Sequence, residues 1–325
     1  MAAEPNTLTC EICPRLCKLG EGETGFCNVR KNVNGESVDA LYGFFYPYPE
    51  EYNQFAPGSY TIVFPGCNMK CWFCNTPFVS RDFNGDVSRW PGGTYRKLAP
   101  CEFVEKVKAN AGPARYGYKG GLLGFFGGEP LIHPEFIVEA GQLGHLAGCG
   151  SKVHTNGFVS EHIIEKVAGS VDMVSINVKG SCSRRLYERM GADPNAVLRS
   201  IKMAWETPHV DGQARNVKTT QLRVLVGPGL EPTGEEIAEF GRWLVEKTDP
   251  CINVMVEPMF RACDHFLDRR VEHDELIPGD SQDEAARRLW TTGLALFDCG
   301  LLDVWLSFTG FGAVHVPSRK LRPLG

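Results

Sequence analysis

The stretch SYTIVFPGCNMKCWFC, residues 59–74, runs an apolar segment straight into three closely spaced cysteines. Its first half reads as a buried strand that delivers the cysteines at its end. Cys67, Cys71 and Cys74 form a C-x3-C-x2-C array. A loop this short can bring three sulfurs to a common centre. A structural zinc ion is usually closed by four ligands, whereas three thiolates on a [4Fe–4S] cluster leave one iron open to another ligand. Chance clustering, or a zinc ion completed by a distant residue, is the competing reading of this array.

Downstream, strands and helices alternate. LLGFFGG (122–128), SKVHTNG (151–157), VDMVSINVKG (171–180), TTQLRVLVGPG (219–229) and INVMVEPMF (252–260) read as further strands. The segments 101–112, 133–148, 160–169, 181–191, 194–206, 233–248 and 283–298 read as helices. Such alternation predicts βα units and a parallel sheet. No GxGxxG follows the first strand, so six units suit a partial (β/α)6 TIM barrel better than a doubly wound sheet. In parallel barrels the chemistry sits at the C-terminal strand ends. Cys67, Gly127-Gly128-Glu129-Pro130, Thr155-Asn156-Gly157 and Lys179 all fall there.

Upstream, residues 1–57 stand apart as a cysteine-rich segment with little core of its own, the barrel is expected over 58–260, and a C-terminal helix and tail packing on it over 261–325. Cys10, Cys13, Cys17 and Cys27 follow C-x2-C-x3-C-x9-C, which suits either zinc or a second iron–sulfur cluster. A loop-rich segment of this kind needs cross-bracing. Phe44, Phe45, Tyr46 and Tyr48 are expected to pack between it and the barrel.

The whole chain has 325 residues, 43 % hydrophobic and 22 % charged, with 34 Lys and Arg against 39 Asp and Glu. A net charge of -5 argues against a broad nucleic-acid or anionic-membrane footprint. The start, MAAEPNTLTC, shows no signal peptide, and no apolar run approaches a membrane span. A cytoplasmic location is expected. Thirteen cysteines there point to metal ligation rather than disulfides.

The array, the preceding Gly66, the aromatic Phe73 before the third cysteine and GGEP at 127–130 resemble the radical S-adenosylmethionine (radical SAM) superfamily. FAPGSYTIVFPGCNMKCWFC, the pattern C-E-I-C-P-R-L-C…G-E-T-G-F-C, HTNGF (154–158) and PGL (228–230) resemble its AmmeMemoRadiSam group. The pyruvate formate-lyase activase group is the other branch it resembles. The resemblance implies a [4Fe–4S] cluster on Cys67, Cys71 and Cys74, with SAM on the open iron. It also implies Gly127, Gly128 and Glu129 as acceptors for the SAM ammonium, and Phe73 against adenine. Where both groups often carry Asp-x-Lys, this chain has Asn177-Val178-Lys179. A neutral amide still accepts from a hydroxyl, and Lys179 could meet the SAM carboxylate or a substrate. Asn156 is a further nucleotide contact, with a plain Asn-Gly turn as its alternative.

The implied activity is reductive cleavage of SAM to a 5′-deoxyadenosyl radical that takes hydrogen from a protein, peptide or small-molecule substrate. An external one-electron reductant such as flavodoxin or ferredoxin is implied too. Activation of a glycyl-radical enzyme is one alternative; a non-catalytic two-site zinc or electron-transfer protein is the other. Cys101, Cys149, Cys182 and Cys299 show no ligand spacing. Cys251 and Cys263 flank the sixth strand and are candidates to quench a radical. His133 and His154 sit beside strand ends. Glu50, Glu51 and the run DRRVEHDE read as solvated surface.

Overall fold

The computed structural model describes residues 7–47, 59–82, 96–109, 118–208, 210, 219–259, 281–308 and 312–316. The expected boundaries at 57/58 and 260/261 lie outside these residues, as do Tyr48, Glu50, Glu51, Cys263 and the DRRVEHDE run.

The N-terminal segment is built from short pairs: β1 (Leu8–Thr9) with β2 (Lys18–Leu19), and β3 (Arg30–Val33) with β4 (Glu36–Asp39), the latter joined through Asn34-Gly35. β5 (Phe44–Pro47) leaves it and pairs antiparallel with β6 (Ser59–Phe64) and with β7 (Arg96–Lys97). The segment read as standing apart therefore donates a strand to the main sheet, between β6 and β7, and Phe45 is buried there.

The main sheet continues through β8 (Leu122–Gly127), β9 (Gly150–Thr155), β10 (Met173–Lys179), β11 (Thr220–Val226), β12 (Asn253–Pro258) and β13 (Val304–Phe308). Neighbours from β6 to β13 pair in parallel, and β14 (Gly312–His315) closes the far edge antiparallel. Six parallel strands were expected; Val304–Phe308, read only as tail, adds a seventh. Intervening helices are α1 (Pro100–Ala109), α2 (Pro134–Leu146), α3 (Glu161–Ala168), α4 (Arg184–Arg189), α5 (Pro194–Glu206), α6 (Gly234–Lys247) and α7 (Gln282–Asp298). Their starts are capped as helix chemistry requires: Asp193 ahead of Pro194, a Thr233–Glu236 capping box, and Ser281 on Glu284. The piece 181–191, read as one helix, is a 3-10 turn (Gly180–Cys182) followed by α4.

Strands β10, β11 and β12 alternate between an apolar and a polar face. Val174, Ile176 and Val178, Leu222 and Val224, and Val254 and Val256 are buried in the apolar core beneath the helices. The intervening Ser175, Gln221 and Asn253 join across β10, β11 and β12, and Asn253 reaches Asp303. Because side chains alternate between faces, the helices cover one face and the other encloses a polar interior. That interior is what makes room for a site.

The N-terminal segment is fastened to the barrel by side-chain hydrogen bonds. Arg30 grips Glu135 of α2 with two bonds of 2.9 Å. His133, wholly buried, bridges Asp39 (2.7 Å) and the carbonyl of Pro65 (2.8 Å). That holds the segment against the strand end that leads into the cysteine loop. His133→Ala strands the buried Asp39 carboxylate, and a loss of about 3 kcal/mol is expected. Chemical denaturation would measure it, and limited proteolysis should cut first within residues 7–47. An unchanged midpoint and cleavage pattern would show that other contacts hold the segment.

Candidate functional site

At the C-terminal strand ends lies a cavity of about 150 Å³. Cys67, Cys71 and Cys74 all line it, together with Phe73, Gly127, Gly128, Asn156, Asn177 and Lys179. Residues far apart in the chain, from the first, second, third and fourth strand ends of the predicted barrel, thus share one space.

The cysteine loop is shaped by its backbone. The Gly66 N–H donates to Val79 (2.8 Å), in a short turn over Phe78–Asp82, and the Gly66 carbonyl accepts from Glu129 (2.9 Å). The Gly128 N–H reaches Phe64 at 3.1 Å. The GGE segment therefore lies against the start of the cysteine loop like an extra rung. Asn68, within the C-x3-C interval, holds the loop from below: its carboxamide bonds the carbonyl of Phe158 and the Asn156 amide (2.9 Å). The same Asn156 amide stands 3.7 Å from the Cys67 sulfur. Asn156 thus braces the loop as well as lining the cavity.

Burial pushes the Cys67 thiol well up, with Cys71 and Glu129 adding to it. Burial also pushes the Cys71 thiol up, to about 11, against the pull of Lys179. Buried thiols that repel one another as thiolates are a donor set that a cationic metal centre would relieve. Among the described residues, no group of three or more His, Cys, Asp or Glu is arranged around a single metal ion.

Glu129 departs from the expectation that it faces a ligand. It is fully buried and does not line the cavity. Its carboxylate accepts from Thr155 Oγ1 (2.7 Å), the Asn156 N–H (2.6 Å) and the Leu131 N–H (2.9 Å). Burial pushes its carboxyl up while these donors and Lys179 pull it down. The side chain meets three protein donors, so it ties the end of β8 to the end of β9. Gly127 and Gly128 keep their place on the cavity wall.

His154 also lines the cavity, and burial beside Lys152 and Arg223 pushes its imidazole well down. His133 does not line it. Cys251 lies at the opposite end of β12, and Cys101, Cys149, Cys182 and Cys299 do not line it either.

Sequence reading missed the far wall. Arg223 of β11 and Glu257 of β12 line the cavity and form a two-pronged ion pair (2.8 and 2.6 Å), each side chain about 10 % exposed. The available signal was a charged residue inside each of two apolar strands, because charges are rarely buried unless paired. Glu257→Gln removes the carboxylate from a nearly buried guanidinium, and a loss of about 3 kcal/mol is expected. The double variant Arg223→Met/Glu257→Leu should regain most of it, since an apolar pair of similar volume replaces an ion pair at little net cost. Equal losses in both variants, in denaturant titrations, would refute this account.

The N-terminal cysteines gather as well. Cys10, Cys13, Cys17 and Cys27 line one small enclosed space with Arg15, Phe26 and Asn68. The Arg30 N–H (3.4 Å) points at the Cys27 sulfur and the Ser37 hydroxyl (3.5 Å) at that of Cys10. Burial pushes the Cys13 thiol up to about 12 and raises that of Cys27. No helix among the described residues is long and apolar enough to cross a membrane.

The chain is similar to several known proteins. An uncharacterized protein of Methanocaldococcus jannaschii is 26 % identical over 219 residues, 62 % of this chain and 58 % of that one. The pyruvate formate-lyase-activating enzyme of Clostridium pasteurianum is 27 % identical over 124 residues, 38 % of this chain and 47 % of that one. These matches span about half the length of those relatives. Among solved structures, Streptococcus suis SuiB bound to S-adenosylmethionine aligns over 77 % of this chain and 50 % of its own, at 15 % identity and a TM-score of 0.48. The family model of the Radical SAM superfamily matches residues 61–210, from the first barrel strand past the fourth, so this stretch of the chain is similar to the radical SAM superfamily, whose members are enzymes.

Proposed function

We propose that this chain is a radical SAM enzyme in which Cys67, Cys71 and Cys74 hold a [4Fe–4S] cluster and S-adenosylmethionine occupies the adjoining cavity. One observation carries the reading: within the stretch that matches the superfamily, the three cysteines open onto one cavity that Gly127, Gly128, Asn177 and Lys179 also line. Bound there, the cluster would supply one electron whose transfer cleaves SAM to methionine and a 5′-deoxyadenosyl radical, the species that takes hydrogen from substrate.

The chain's own residues supply position and environment. Gly127 and Gly128 let backbone approach the ligand closely. Lys179, near enough to Cys71 and Glu129 to influence both, places a positive charge where a ligand carboxylate can meet it. Asn177 offers an amide to hydroxyls, and Phe73 offers a ring to a base. Glu129, Asn68 and Asn156 hold the loop and the strand ends in register. The apolar wall formed by Phe126, Leu225 and Met259 keeps water away from reactive intermediates.

Cys10, Cys13, Cys17 and Cys27 hold a second metal centre, zinc or iron–sulfur. The substrate is a protein or peptide, a reading supported by relatives named as activating enzymes, and the electron comes from an external reductant. Anaerobically reconstituted protein with SAM and dithionite should form 5′-deoxyadenosine, and deuterium should pass into it from labelled substrate. Zinc at both sites with no acid-labile sulfide would overturn the assignment in favour of a non-catalytic metal protein.

A further inference from the structure

Several cations on the described surface pair with carboxylates: Lys108 with Glu105, Arg184 with Glu188, Arg199 with Glu161, Lys202 with Glu206 and Arg287 with Glu284. Around the cysteine loop, three cations lie against aromatic rings. The Arg15 guanidinium lies 3.5 Å from the centre of the Phe26 ring, and the Lys70 ammonium lies 4.6 Å from the same centre. Arg189 lies 3.9 Å from the centre of Trp72.

These residues are fixed to one another. Arg15 donates to the carbonyls of Asn68 (2.6 Å) and Gly191 (2.7 Å), and the Lys70 N–H donates to Met190 (3.1 Å). The N-terminal knuckle, the cysteine loop and the end of α4 therefore meet in a single face. Lys70 and Arg189 are exposed, and Leu16, beside Arg15, is a half-exposed apolar side chain. Among the described residues no carboxylate lies at ion-pair distance from Arg15, Lys70 or Arg189.

The face is also the outer skin of the cysteine loop. Lys70 directly precedes Cys71, and Trp72 directly follows it. Trp72 meets Phe73 edge-on at 4.9 Å, and Phe73 lines the cavity. Electron transfer weakens steeply with distance, so a donor must approach where little protein intervenes. On a chain of net charge -5, three unpaired-by-carboxylate cations at that place form a local field of the opposite sign.

We propose that Arg15, Phe26, Lys70, Trp72 and Arg189 form the docking face for an acidic one-electron carrier protein; the inference rests on the radical SAM reading of Cys67, Cys71 and Cys74. The carrier is oxidised by one electron and the centre on those cysteines is reduced by one, with no bond formed or broken. Charge complementarity steers the encounter and speeds association, while the small apolar spot at Leu16 suits the weak, short-lived contact of redox partners.

Reduced flavodoxin, an acidic carrier, is the probe. Stopped-flow reduction of the reconstituted full chain should slow as salt rises. Lys70→Glu/Arg189→Glu should slow it by roughly tenfold at low salt and flatten the salt dependence, while reduction by dithionite stays unchanged. Carbodiimide should also join Lys70 of the purified protein to a flavodoxin carboxylate, a readout that needs no turnover. An unchanged flavodoxin rate in the variant, equal slowing with dithionite, or cross-links mapping to another face would each overturn the proposal. Absence of any dithionite-reducible cluster in the wild type would instead sink the radical SAM reading, and the cross-link would still report on the face.

Discussion

Cys71→Ala is expected to abolish 5′-deoxyadenosine formation while leaving the protein folded. The substitution removes a single sulfur atom, which on the proposed reading is one of three ligands to a cluster that leaves one iron open to SAM. With two thiolates the cluster is no longer held, and iron and sulfide content should fall by one cluster per chain. Cys67→Ala and Cys74→Ala should behave alike. Cys13→Ala is the informative contrast: it should remove metal from the N-terminal knuckle and leave the central cluster's spectrum in place. Retained SAM cleavage in any central-loop variant would refute the assignment of these three cysteines.

The second large effect comes from adding a single carbon. In Gly128→Ala, the new Cβ falls on the carbonyl oxygen of Gly66 and within 2.7 Å of its carbonyl carbon, and it lies 3.2 Å from the Ser80 Cα. All of these are backbone atoms. None can withdraw easily, because Gly66 is bonded to Val79 and Glu129 while Gly128 is bonded to Phe64. Overpacking of this kind costs about 3 kcal/mol, a fall of roughly 4 °C in Tm for a chain of this size. The strain falls on the residue preceding Cys67, so cluster uptake should fail even at temperatures where the variant is folded. Gly234→Ala, at the start of α6 where an added Cβ meets nothing within 4 Å, should be nearly neutral. Equal melting temperatures for the two variants, by calorimetry, would show that the loop yields to the extra carbon.

Both predictions concern residues that stand out in the bare sequence. The cysteine spacing, the GGEP segment and the strand–helix alternation are local patterns, written within a few residues of one another, and local patterns survive in one dimension. The same holds for helix starts such as Thr233–Glu236. The strand Val304–Phe308 was not legible. Among the described residues β14 rather than a helix follows these five, so the strand–helix alternation does not mark them, and their partners β12 and β14 are met only in the folded sheet. Likewise β5 lies in aromatic text that packs like a core, and its pairing with β6 is decided by the sheet it joins.

The site divides in the same way. Cys67, Cys71, Cys74, Gly127, Gly128, Phe73, Asn177 and Lys179 are marked by spacing or by position at strand ends, and they line one cavity. Glu129 was marked too, but its direction was not. Two of its three hydrogen-bond donors belong to Thr155 and Asn156, at the end of another strand, so only the packed sheet could turn that carboxylate inward. Arg223 and Glu257, 34 residues apart, become a pair because neighbouring parallel strands place them side by side. The sequence alone determined which residues could ligate a metal and that they would sit at strand ends, since residue chemistry and short-range periodicity need no partner. The tertiary structure decided which polar groups face the cavity and which are taken up by protein, because a hydrogen bond between strands exists only once the strands have met.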